Sequence, residues 1–336
     1  MAAALAGVAT GIGSLPGTSI DEACAMAFDE LPELPHLPEL PARGPGADMI
    51  GRTAAQLSGL GIDRTPSGWR LVDRPGLDQR DARERLTADL DALLPVAGPG
   101  YDGALKVQLA GPWTLAASLE LPRGGRALRD RGAVRDLIAS LAETAIEHLG
   151  EVQRRVPGAQ LVLQLDEPSL PAVMAGRIRT ESGFGALRAI EPTEVLPALR
   201  SVIDAAGVPV VLHCCAADPP IGLLREAGAA AVSFDATLGP TDHDAIGELV
   251  DGGGIVWLGV LPSLGPGVPP SPRDVADPVR RLWRELGFDP DLLPSAVSLT
   301  PTCGLAGASP GWAHSAYRLI RQAARVLTEA PEGVGS

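Results

Sequence analysis

Short, largely apolar runs recur along the chain, each closing in small or polar residues: Ala9–Ile12, Leu105–Leu109, Gln160–Leu165, Val208–Leu212, Ala231–Phe234, Ile255–Val260 and Ala296–Leu299. A run that is apolar on both faces is what a strand buried in a parallel sheet looks like. Between these runs the apolar spacing predicts helices over Val134–Arg155, Pro192–Ala206, Pro220–Ala227, Asp242–Asp251 and Asp274–Leu286, with a closing helix over Gly311–Thr328. An eighth strand is expected near Ala47–Ile50, ahead of a helix over Gly51–Gly59. Strand alternating with helix predicts an α/β fold with helical crossovers. Eight such units predict a (β/α)8 TIM barrel, as one domain over residues 1–336.

The rival is an open, doubly wound sheet. The residues just past the strands favour closure: Gly13-Ser14, Gly111-Pro112, Asp166-Glu167, His213-Cys214-Cys215, Asp235 and Pro301-Thr302-Cys303. In a barrel all of these ends meet on one rim, the catalytic face. The Pro-rich stretch 31–46, with its echo LPELPHLPELP, reads as an extended active-site loop after the first strand, and 262–272 as another Pro/Gly loop.

Composition narrows the classes. Hydrophobic residues make up 45% of the chain but aromatics only 3%, so the core is built from Ala, Val, Leu and Ile. A net charge of −13 repels phosphate backbones, and no nucleic-acid partner is expected. The Arg-rich stretches 64–85 and 123–135 also carry Asp and Glu, as solvated helix faces do. Four cysteines, two of them adjacent, suggest no disulfide framework and a reducing, cytoplasmic setting. The apolar start has no positive charge and reads as a first strand, not a signal peptide. No apolar run reaches the ~18 residues of a membrane span.

Candidate chemistry sits at the strand ends. Val210–Leu212 delivers His213 and, two positions on, Cys215; nitrogen and soft sulfur are the donors that select Zn²⁺ in a reducing cell. Alone, this motif describes a buried histidine beside inert thiols at least as well. Cys303, after the last apolar run, adds a second thiol on the same rim and shifts the balance to a metal. Asp235 is either a fourth ligand or the cap of its loop. Acids at a strand end are paired or face a ligand. Asp166 is therefore read as receiving a substrate ammonium, with Glu167 beside it in the substrate-binding set; a hydrogen-bonding structural role is the alternative. Gly13 lets backbone approach a ligand, and Ser14 offers a hydroxyl and an amide to a carboxylate. No dinucleotide fingerprint or P-loop lysine occurs. His148, inside a helix, and His243, near a helix start, are read as structural; His36 and His314 are read as structural with a place on the rim as the alternative.

Taken together, Ile12–Pro16, Leu109–Thr114, Gln164–Pro168, His213–Cys215 and Pro301–Leu305 resemble the catalytic barrel of cobalamin-independent methionine synthase, in order and spacing, over roughly residues 8–325. The resemblance implies a zinc-dependent S-methyltransferase acting on the thiol of homocysteine. It implies His213, Cys215, Asp235 and Cys303 as Zn²⁺ ligands, and Gly13, Ser14 and Asp166 as holding the amino acid. Two positions depart from the pattern. The family's acidic ligand is usually Glu, about two residues farther on than Asp235, and the stretch Gly259–Leu264 lacks the histidine that serves there as a general acid. The chain also resembles short, single-barrel forms more than forms with an additional folate-binding barrel. Methyl-folate and a methylated corrinoid protein are both implied as donors. Two alternatives share the barrel: a tetrapyrrole enzyme like uroporphyrinogen decarboxylase, and a degenerate barrel without catalysis.

Overall fold

The computed structural model describes residues 5–238 and 242–333; the outer ends of the expected 1–336 domain lie outside the described residues. Six parallel strands run in sequence order around a curled sheet: β3 (Ala104–Ala110), β4 (Gln160–Asp166), β5 (Val210–Cys214), β6 (Ala231–Asp235), β7 (Ile255–Leu261) and β8 (Val297–Pro301). They follow a two-stranded antiparallel hairpin, β1 (Gly61–Thr65) and β2 (Gly68–Val72). Nearly every residue of the six is buried, which is why their sequences show no apolar–polar alternation.

Two short extended stretches close the ring. Gly7–Thr10 lies along β8: Gly7 N–H donates to Val297 O (2.8 Å), Leu299 N–H to Val8 O (3.0 Å) and Thr10 N–H to Leu299 O (3.1 Å). Pro35–Leu37 lies along β3, with Lys106 N–H donating to Pro35 O and Leu37 N–H to Lys106 O, each 2.9 Å. The two stretches meet where Ser14 bridges Glu39, through Glu39 N–H to Gly13 O (3.1 Å) and Leu15 N–H to Glu39 O (2.9 Å). The chain is thus a (β/α)8 TIM barrel.

The second position of the barrel corrects two expectations. Residues 47–50 are not a strand: Asp48 accepts from Gly51 N and caps a helix over Met49–Gln56. A short acceptor side chain before a helical stretch is a start signal, and it wins over the apolar residues around it. The strand position is filled instead from inside the Pro-rich stretch taken for a loop. Pro35 and Pro38 lack the N–H that a longer ladder needs, so the pairing is too short to resemble a strand in sequence. The mixed-charge stretch from residue 64 likewise departs from expectation. Thr65 pairs with Gly68 around Pro66-Ser67, turning the hairpin before the helix begins.

The helices pack outside the ring. In order they are α1 (Ile20–Glu30), α2 (Met49–Gln56), α3 (Leu77–Asp91), α4 (Leu93–Ala97), α5 (Pro112–Ser118), α6 (Arg131–Arg155), α7 (Leu170–Met174), α8 (Pro192–Ala206), α9 (Ile221–Glu226), α10 (His243–Asp251), α11 (Pro272–Leu286), α12 (Leu293–Ala296) and α13 (Pro310–Glu329). Side-chain caps set several starts, among them Asp130 on α6 and a Ser271–Asp274 capping box on α11. The lumen is graded along its axis. At the end where the strands begin, Leu5, Leu34, Val162, Val211, Ile255 and Trp257 pack into an apolar plug, pinned by Trp257 Nε1–H donating to Leu5 O (2.8 Å). Toward the strand C-termini the inward positions turn polar: Lys106 and Gln108, Gln164 and Asp166, His213, Ser233.

Candidate active site

Strand register places the first donor. Asp166 pairs with His213 across β4 and β5, and His213 with Ser233 across β5 and β6. Ser233 Oγ therefore sits 2.8 Å from His213 Nδ1. The imidazole is only 2% exposed, and its Nε2 is buried with no hydrogen-bond partner among the described residues. A buried ring nitrogen left free while its twin is fixed is the arrangement of a metal-ligating histidine.

The missing partners are two sulfurs. Cys215 follows β5 and Cys303 follows β8, and their Sγ atoms lie 3.3 Å apart across 88 residues of chain. His213, Cys215 and Cys303 each bring a ligand atom to within 4.8 Å of the others, and both thiols are free. Without a cation the two sulfurs compete for one proton. The contact with Cys215, then that with His213, draws Cys303 down to about 4, while the same contact and burial push Cys215 up. One nitrogen and two thiolates suit Zn²⁺, so the residues present fit the group.

Asp235 is not brought to this group. Its Oδ1 accepts from Thr237 N–H (2.8 Å) and Thr237 Oγ1–H (2.6 Å), so the carboxylate caps its own loop. Glu167 also departs from expectation. It is fully buried: Oε1 accepts from Trp113 N–H (2.9 Å), and Oε2 from Thr114 N–H (2.8 Å) and Oγ1–H (2.7 Å). These are first-turn amides of α5, which begins at Pro112, so Glu167 serves the helix N-terminus in place of a substrate. Gly111 is required beside it, because a Cβ there would meet the Glu167 carboxyl at 2.5 Å.

Ser14 and Asp166 do reach the mouth. Ser14 O accepts from Leu305 N–H (2.8 Å), and Ser14 Oγ fills the space where a Cβ on Gly304 would stand. The Gly13-Ser14 turn is thereby packed against the loop that carries Cys303. Asp166 is 5% exposed and its Oδ1 accepts from Gln164 Nε2–H (2.7 Å). Burial, then the nearby Glu39, pushes Asp166 well above the usual carboxylate range, while Lys106 opposes.

Three residues of this network escaped sequence reasoning. Glu39 is buried at the end of the Pro-rich stretch, and burial raises its carboxyl against the pull of Arg52 and Lys106. Lys106 is 0% exposed, with Nζ donating to Ile12 O (2.9 Å), Gln164 Oε1 (2.8 Å) and Gln108 Oε1 (3.4 Å). Burial lowers it to about 7, opposed by Asp166 and Glu39. Ser233 was hidden in an apolar run. The available signal was a polar residue at an inward position of a strand buried on both faces: Lys106 in ALKVQLA, Ser233 in AVSFD.

A parallel barrel with one nitrogen and two sulfur donors gathered at the C-terminal ends of its strands has the architecture of the barrel enzymes. More narrowly, the chain belongs to the family described as cobalamin-independent synthase, catalytic domain, whose sequence model matches residues 100–326. Among solved structures it is similar to a B12-independent methionine synthase from Shewanella sp. W3-18-1 in complex with selenomethionine (TM-score 0.61, 12% identity, 96% of this chain and 98% of that one). It is also similar to a methyltransferase from Methanosarcina mazei (TM-score 0.58, 13% identity, 96% and 93%). At these identities the two structures speak for the fold. No curated protein sequence matches the chain. The family makes this a methyltransferase of the methionine synthase kind and sets the tetrapyrrole alternative aside. Among the described residues no helix is long and apolar enough to cross a membrane.

Proposed function

We propose that this chain is a zinc-dependent S-methyltransferase that methylates the thiol of homocysteine or a closely related amino-acid thiol, with methyl-folate or a methylated corrinoid protein as donor. The observation that carries the reading is the convergence of His213, Cys215 and Cys303 within 4.8 Å at the barrel mouth. A three-donor group leaves one tetrahedral position for the substrate sulfur. Zn²⁺ bound there would supply a Lewis acid that lowers the thiol pKa and favours the nucleophilic thiolate near neutral pH.

The chain's own residues do the rest. Ser233 holds the His213 ring so that Nε2 faces the sulfurs. Ser14, with the amides of the Gly13-Ser14 turn, takes the substrate carboxylate. Asp166 and Glu39 take the ammonium; both are costly to ionise in the empty site, and a substrate cation offsets that cost. With both ends held, the sulfur meets the methyl group in line, and such positioning contributes several kcal/mol. Reduced thiols of this kind fit a cytoplasmic setting.

Zinc analysis combined with a methyl-transfer assay tests the reading. The purified protein should carry about one Zn²⁺ per chain, and methylate homocysteine from methylcobalamin or methyl-folate. Cys215→Ala and Cys303→Ser should each abolish both properties. Stoichiometric zinc in both variants would falsify the site.

A further inference from the structure

Lys106 lies in the lumen below the mouth, where barrels ordinarily carry branched aliphatic residues. Burying a charge is costly, and an apolar residue of similar length satisfies packing alone. All three hydrogen-bond partners of Nζ are oxygens: Ile12 O, Gln164 Oε1 and Gln108 Oε1. An ammonium has three N–H donors and no acceptor, so each glutamine must turn its carbonyl toward it. For Gln164 this sends Nε2 the other way, donating to Asp166 Oδ1 (2.7 Å) and Ile12 O (2.8 Å). For Gln108 it sends Nε2 to Leu37 O. Ile12 directly precedes Gly13-Ser14, so one cation braces both the turn beside Ser14 and the carboxylate of Asp166.

We propose that Lys106 is a positioning residue: through Gln164 and Ile12 it fixes the two groups that grip the α-amino-acid end of the substrate, and so sets the preference for an amino-acid thiol over the same thiol without that end. The inference rests on the proposed thiol-methylation reading. The hydrogen bonds of Lys106 and Gln164 on which it stands are separate from the contacts that gather His213, Cys215 and Cys303.

The test uses the full chain loaded with Zn²⁺ and calorimetry with two probes, L-homocysteine and 1-propanethiol, which shares the sulfur arm and lacks the amino-acid end. Wild-type protein should prefer homocysteine. Lys106→Met should weaken homocysteine binding about 10- to 100-fold, the scale of a hydrogen bond to a charged group. It should leave 1-propanethiol binding and zinc stoichiometry unchanged. Gln164→Leu keeps the lysine and cuts the link, and should lose the same preference; it decides alone if Lys106→Met does not fold. Full retention of the preference in a folded Lys106→Met or Gln164→Leu overturns the role of Lys106, as does equal weakening of both probes. A wild-type protein with no preference for homocysteine overturns the amino-acid reading itself, and the inference with it.

Discussion

Ser233 Oγ and His213 Nδ1 face each other at 2.8 Å on paired positions of β6 and β5. When Nδ1–H donates to the hydroxyl, Nε2 keeps its lone pair for a metal. Ser233→Ala should keep the fold and zinc stoichiometry at saturating metal, yet weaken zinc affinity about 10- to 100-fold. Competition with a chromophoric chelator measures it. Unchanged affinity would mean the imidazole is held by packing alone.

Asp166 and Glu39 are proposed to share one ammonium. Asp166→Asn and Glu39→Gln should each raise KM for homocysteine about tenfold or more, the cost of losing a charge-assisted contact, without removing zinc. The double variant should fall short of the product of the two effects, because both carboxylates act on one charge. Steady-state kinetics on the three variants checks this. Fully multiplicative effects would argue that the two acids serve different ligands.

Glu167 and Gly111 form a structural pair at the start of α5. Glu167→Ala leaves the buried amides of Trp113 and Thr114 without their acceptor, at about 1–3 kcal/mol each. Gly111→Ala drives a methyl group into the carboxyl and should cost about as much as other overpacked sites, ~1–3 kcal/mol. Urea unfolding measures both. Should Glu167→Ala fold with wild-type stability but lose homocysteine affinity, the carboxylate would belong with the substrate after all.

Acid should destabilise the fold through two histidines. Burial pushes His36 and His148 from 6.5 down to about 3, and His148 has neither ring nitrogen hydrogen-bonded among the described residues. As pH falls below 6.5 the unfolded chain takes up these protons first, so stability is lost progressively between 6.5 and 3. At about pH 5 each contributes a loss on the order of 2 kcal/mol. Burial raises Asp166, Glu167 and Glu39, which act in the opposite sense as pH falls, so the histidine contribution is read by difference: between neutrality and about pH 5 the urea midpoint of His148→Leu should shift toward greater stability relative to wild type. The same pH response in His148→Leu as in wild type would take His148 out of the acid dependence.

The barrel was legible where one physical rule dominated. Runs such as Val208–Leu212 and Ile255–Val260 have no polar face, and only strands covered on both sides tolerate that. His213, Cys215 and Cys303 could be placed together because strands of a barrel share one rim. Legibility failed where local chemistry overrode the pattern. Asp48 caps a helix in a stretch apolar enough to pass for a strand, while Pro35 and Pro38 conceal a real barrel position. Asp235 and Glu167 are acids at strand ends like Asp166, and only side-chain direction separates a loop cap and a helix cap from the buried carboxylate bonded to Gln164. Glu39 was invisible for the same reason as its strand, and Lys106 because a single lysine inside an apolar run reads as noise until the strand around it is known to be covered on both faces.

The plug of Leu5, Leu34 and Trp257 makes the lumen a blind well. With that end closed, the proposed acceptor and donor would both approach the sulfurs from the strand C-termini, so an acceptor held at Asp166 would have to bind before a bulky donor. On the proposed chemistry the methylated product would leave by that same side, so withdrawal of the spent donor would have to precede its release.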